Sequence, residues 1–161
     1  MAKSKNNIKI MITRLITTIF FFGYFPIFPG TVGSFLGLII YSLVYKNPAV
    51  YFLITFMLVI LGFLYCGKAE YIFRKKDCKK IIIDDLCGQL VSLLFIPFSL
   101  NIAFLGFILF RAFDGLKVYP SKKIERFHGS LGIMGDDILA GIYANTALRI
   151  LLFFNMPFLN N

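Results

Sequence analysis

Charge is what this sequence has little of. Charged residues fill 16 % of its 161 positions, where a soluble domain carries roughly 25 %. Eight of them are acidic, there is one histidine, and tryptophan is absent. Its three cysteines, Cys66, Cys78 and Cys87, make no CxxC pair, which excludes zinc-ligand spacing and an even-numbered disulfide framework. Free thiols are expected. The sequence also lacks internal repeats and low-complexity segments. No A-x-A-like cleavage site follows its first apolar run, so that run does not read as a signal peptide.

Apolar residues take the place of the missing charge. They make up 58 % of the chain, phenylalanine alone numbers 20, and the mean hydropathy is +0.80. A soluble domain this small leaves much of its surface exposed and cannot hide so much apolar area. Disorder is excluded for the opposite reason. Lipid is therefore the expected solvent for much of the protein. The net charge of +9 would suit nucleic acid in a polar chain. In an apolar one, basic loops set topology and attract anionic headgroups, so the expected partner is a membrane and not nucleic acid.

Apolar stretches cover residues 10–28, 32–45, 49–67, 86–110 and 138–154, the fourth with a mild break at 97–101. Basic residues concentrate before residue 10, in 68–80 and in 111–126. Placing those loops in the cytoplasm sends 32–45 out and 49–67 back. Residues 86–110 then form a hairpin, 138–154 exits last, and 10–28 is left as an interfacial or re-entrant helix. The expected fold is all-α, a single-domain (1–161) small multi-pass membrane bundle. Arg149 reads as a snorkelling side chain, and Gly141 and Ala144 as close-packing positions.

Few carboxylates make their placement informative. Glu70, Asp77 and Glu125 fall in basic loops and read as solvated ion pairs. Asp84-Asp85, Asp114 and Asp136-Asp137 each fall where a loop meets an apolar segment, all on the expected cytoplasmic face. Adjacent like charges repel, and a hard divalent cation such as Mg²⁺ would neutralise them. Helix capping is the competing reading for each pair. Arg111 and Lys117 flank Asp114 at three-residue spacing, so on a helix all three share one side. They read as phosphate ligands or as interface anchors. His128 reads as a site residue or a structural one. Pro29-Gly30-Thr31 opens a helix whose free N–H groups could bind phosphate. Carboxylates for a metal beside cations for a phosphate suggest phosphoryl chemistry.

Four segments in order resemble the bacterial phosphatidylglycerophosphatase A family: Pro29-Gly30-Thr31-Val32-Gly33-Ser34, Ile83 to Gly88, Phe110 to Lys117, and His128 to Gly141. The sequence departs from the family pattern at Asp85, Val118 and Ser130. The resemblance implies a Mg²⁺-dependent phosphatase of the bacterial inner membrane. Its substrate would be phosphatidylglycerophosphate, its products phosphatidylglycerol and inorganic phosphate, and its active site would face the cytoplasm. On that reading Asp84, Asp85, Asp136 and Asp137 hold the metal. Asp114 is a further ligand or the base that orients water, with Asp85 and Asp137 also catalytic. Arg111, Lys117, His128, Gly30 and Thr31 bind the phosphate. Oligomeric state is left open. Two other readings compete. One is a CDP-alcohol phosphotransferase, whose final aspartates would stand four apart rather than adjacent. The other is a divalent-cation transporter or channel, whose acids would sit at mid-bilayer.

Overall fold

In the computed structural model, residues 2–76 and 78–154 are described. Asp77 lies outside the described residues, as do the last seven positions. Among the described residues there are seven α-helices and no strand: α1 (Ala2–Thr17), α2 (Pro29–Val44), α3 (Pro48–Phe73), α4 (Ile83–Ser92), α5 (Leu100–Leu116), α6 (Ser121–Ile124) and α7 (Ser130–Phe153).

The starts of α2 and α3 follow from local chemistry. Pro29 and Pro48 stand at the first helical position, where a missing N–H costs nothing. Asn47 caps α3 by accepting a hydrogen bond from the Val50 N–H at 3.2 Å. The 26 residues of α3 rise about 39 Å. By length and composition α3 is, among the described residues, the one helix long and apolar enough to cross a membrane. It runs past the apolar stretch and absorbs residues 68–73, which the sequence suggested were loop. Ala69 and Glu70 are good helix formers, and Ala69 is fully buried.

The first apolar stretch is not one helix. α1 begins in the polar segment and stops at Thr17, and residues 22–24 form a single 3-10 turn. Ile19, Phe20 and Phe21 between them have positive φ. Local hydroxyls compete with the helix here. Thr13, Thr17 and Thr18 each donate to the carbonyl four residues back, and Thr18 Oγ1 accepts the Phe21 N–H. The end of α1 is fastened to the next loop by Ile82 N–H donating to Thr17 O at 3.0 Å.

The fourth apolar stretch is a hairpin, α4 and α5, broken over residues 93–99. Carbonyls left by the break are satisfied from other helices, as burial requires. The Asn145 amide donates to Val91, Ser92 and Leu94 at 3.3, 3.0 and 2.9 Å. Tyr41 donates to Ile96 O and Tyr51 to Leu90 O. Arg149 is exposed, but its guanidinium is spent on Leu94 O and Asn145 Oδ1 as well as on solvent.

α4 is the hub, packed against α2, α3, α5 and α7. Its crossing with α7 is set by two glycines. A Cβ on Gly141 would stand 2.4 Å from Gly88 O, and one on Gly88 would stand 2.7 Å from Asp137 O. Only backbone can pass backbone so closely. Ala144 is fully buried near this seam. The three cysteines are free and buried.

Candidate functional site

The α4–α7 crossing brings the two aspartate pairs to one end of the bundle. Around them lie the start of α2, residues 79–85 and the end of α5, enclosing a cavity of about 330 Å³. Its polar lining is Asp84, Asp85, Asp114, Asp136 and Asp137 with Lys79, Arg111 and Lys117. The expected convergence of three acidic groups on one face is therefore present.

Asp84 and Asp85 occupy the first turn of α4, where the positive end of the helix dipole favours carboxylates. Asp136 and Asp137 do not cap a helix. α7 begins at Ser130, so Asp136 stands about 9 Å along it by helical rise. Capping is thereby excluded for this pair. One carboxylate oxygen from each of Asp84, Asp85 and Asp137 lies within 4.8 Å of the others. Asp84 and Asp137 are each 6 % exposed.

Asp136 stands apart from that trio, with its Oδ2 3.7 Å from Lys117 Nζ. Asp136 lines the same cavity, so three of the four expected metal-site aspartates converge closely and the fourth stands beside them. Lys117 lines the cavity together with Arg111 and Asp114, as expected, but does so from the left-handed cap of α5 (φ 46°), where it pairs with Glu125. Glu125 is thus in a partly exposed ion pair, as its basic loop suggested. Glu70 is not in a loop: it lies on α3 and accepts the Gly129 N–H at 2.6 Å.

Arg111 spans the site. It donates to Asp85, stands 3.2 Å from Asp114 Oδ2, and reaches Ser34 Oγ at 3.3 Å. Burial opposes its charge, but Asp85 and Asp114 more than offset that and hold its pKa above the ordinary value. Burial, reinforced by Asp85 and Asp84, pushes the Asp137 carboxyl well above the usual range. Both residues lie outside the long apolar stretches.

Gly30 lets α2 approach this cluster. A Cβ there would meet the Asp85 carboxylate oxygens at 2.6 and 2.8 Å. The N-terminus of α2 therefore faces a carboxylate already in place. Thr31 does not line the cavity, since it is turned about 100° from Gly30 around the helix. His128 does not line it either. It is exposed, in a loop fastened to α3 through Gly129–Glu70 and through Gly67 N–H donating to Ser130 Oγ at 2.8 Å. Two lining or bracing residues were not singled out from sequence. Ser34 sits inside a quoted motif and was legible there. Lys79 is one lysine among several in its loop, with no spacing to distinguish it.

The donor set is chemically suited to a hard cation. Three carboxylates close enough to repel, two of them nearly buried, offer only oxygen ligands, as Mg²⁺ prefers. The flanking Arg111, Lys117 and Lys79 suit an anionic partner such as a phosphate.

Comparison with known proteins bears on the chemistry. The family described as Phosphatidylglycerophosphatase A matches residues 15–152. A Phosphatidylglycerophosphatase A of Escherichia coli K12 is 31 % identical over 74 % of this chain and 72 % of its own length. One from Haemophilus influenzae is 35 % identical over 72 % and 74 %. A Bacteroides thetaiotaomicron protein, provisionally named phosphatidylinositol-3-phosphatase, is 33 % identical over 81 % and 87 %. No solved structure matches the chain significantly.

Proposed function

The chain belongs to the phosphatidylglycerophosphatase A family and is a phosphatase, and from that premise we propose that it hydrolyses phosphatidylglycerophosphate to phosphatidylglycerol and inorganic phosphate in a Mg²⁺-dependent reaction of phospholipid synthesis. The supporting observation is the cavity itself, where the oxygens of Asp84, Asp85 and Asp137 converge beside Arg111. An acid cluster faced by cations suits a phosphomonoester. It suits a cation pore less well, because the acids gather at one end of the bundle. Adjacent aspartates also leave the transferase spacing unmet.

Asp84, Asp85 and Asp137 would hold the Mg²⁺, with Asp136 beside them under the charge of Lys117. Bound there, the ion would polarise the phosphoryl oxygens and lower the pKa of a coordinated water. Arg111 and Lys117 would bind phosphate oxygens and neutralise charge as it builds on them. Asp114, held against Arg111, would accept a proton from the attacking water or orient it. The P–O bond to the glycerol then breaks, and water supplies the new oxygen on phosphate and the proton on the released hydroxyl. Asp84 and Asp137 are nearly buried, so their charges would act less screened than at an open surface.

The whole chain would act as one domain, embedded in the bacterial inner membrane. α2, α3, the α4–α5 hairpin and α7 would cross it or enter it, with the cavity toward the cytoplasm. The 68–80 and 111–126 segments, each a helix end and the loop after it, support that orientation, since they carry most of the positive charge.

Phosphate release from phosphatidylglycerophosphate in detergent micelles tests this reading. Release should require Mg²⁺, stop with EDTA, and fall by about 10³-fold or more in Asp137→Asn, the scale at which one essential charged group counts. Full turnover in Asp137→Asn, with the protein folded, would remove the metal assignment. The Bacteroides relative's name favours one second reading, a phosphoinositide monophosphate as substrate. The same assay with phosphatidylinositol 3-phosphate compares the two by kcat/KM.

A further inference from the structure

A second, larger cleft lies between α1 and α3, lined by none of the carboxylate-site residues. Its volume is about 580 Å³, within the range of roughly 300–1,000 Å³ usual for ligand sites. Four cations line it: Lys9 and Arg14 from α1, Lys68 and Arg74 from the end of α3. No carboxylate lines it, and among the described residues none of the four takes part in an ion pair. Ile10 and Ile72, both half-buried, add apolar surface beside the cations. A cleft that is both positive and partly apolar matches an amphiphilic anion.

The outer side of α1 indicates where that anion comes from. Residues 9, 10, 13 and 14 face the cleft, whereas Ile8, Met11 and Ile12 form a stripe on the opposite side, 50, 58 and 40 % exposed. A helix with a basic side and an exposed apolar stripe lies in a membrane interface. The Arg14 guanidinium stands 5.7 Å from the Phe73 ring centroid, and the Lys68 ammonium 4.8 Å from that of Tyr65. These contacts hold two of the cations against α3.

We propose that the α1–α3 cleft binds the phosphate headgroup of an anionic phospholipid of the surrounding membrane, as a site separate from the carboxylate cavity. The phosphate is met by Lys9, Arg14, Lys68 and Arg74, and the upper acyl region lies over Ile10 and Ile72. Free inorganic phosphate offers the same charge but no apolar part, so it gains nothing from Ile10 and Ile72. The proposal does not depend on which reaction the carboxylate cavity performs.

Native mass spectrometry of the full chain, released from zwitterionic-detergent micelles, tests this with phosphatidylglycerol and phosphatidylcholine as probes. The wild type should retain phosphatidylglycerol in preference to phosphatidylcholine. The Arg14→Gln/Lys68→Gln variant should bind it about tenfold or more weakly, the scale expected for removing two surface cations. The single Lys68→Gln variant, at an exposed position, should show a smaller loss of the same sign and serves if the double variant does not fold. Equal retention of phosphatidylcholine, or of phosphatidylglycerol by both glutamine variants, would overturn the proposal. Displacement of the lipid by millimolar inorganic phosphate would overturn the lipid source.

Discussion

At the scale of single residues, Gly30 shows how backbone shape serves charge. The Asp85 carboxylate occupies the space a side chain would need there. In Gly30→Ala the new methyl group must displace Asp85, and a shift of about 1 Å at a reacting centre can cost about 10²-fold in rate. Turnover should fall at least tenfold. Stability should stay within about 1 kcal/mol, since alanine is the better helix former. Phosphate release and thermal unfolding on the same preparation check both, and unchanged turnover would count against Asp85 as a working group. Most of the charged cluster could be read from sequence, because acids are scarce in an apolar chain and each one stands out. Which partner each acid takes could not. Asp136 and Asp137 differ by one helical step, and Lys117 reaches Asp136 only because the chain turns left-handed at the end of α5. Glu70 finds its partner 59 residues away, a distance that no local pattern encodes.

Among elements, the α4–α7 crossing governs the site, because it carries three of the converging oxygens on two helices. Gly141→Val would put side-chain atoms against Gly88 O and Val91. The Gly88 backbone leaves no room to yield, so overpacking should cost about 1–3 kcal/mol. The expected result is a lower melting temperature together with a loss of turnover. Loss of stability with full activity would mean that the crossing does not position the carboxylates. Gly141 and Ala144 announced this seam in the sequence by their size and spacing. The early end of α1 was less visible. Ile10 to Phe28 reads as one apolar run interrupted by Arg14, and the threonine hydroxyls that compete with the helix appear only once their acceptors are placed.

For the whole molecule, orientation is the property that the basic loops predict. The native cysteines are 0, 8 and 0 % exposed, so a single introduced thiol reports its own position. Lys46→Cys and Lys75→Cys lie at opposite ends of α3, both exposed. In intact spheroplasts a membrane-impermeant maleimide should label Lys46→Cys, whereas Lys75→Cys should react only after permeabilisation. The reverse pattern would invert the proposed topology. Composition and loop charge carry this level of organisation, because bilayer thickness and positive-inside bias act on segments and not on individual contacts.

The size of the carboxylate cavity reaches beyond catalysis. With the proposed lipid as substrate, a space of about 330 Å³ rimmed by charge would hold the headgroup and leave the fatty-acyl tails outside. Chain length and unsaturation would then be invisible to the reacting centre. On that reading, a cell that retailors its fatty acids to keep its membrane fluid would leave this step untouched.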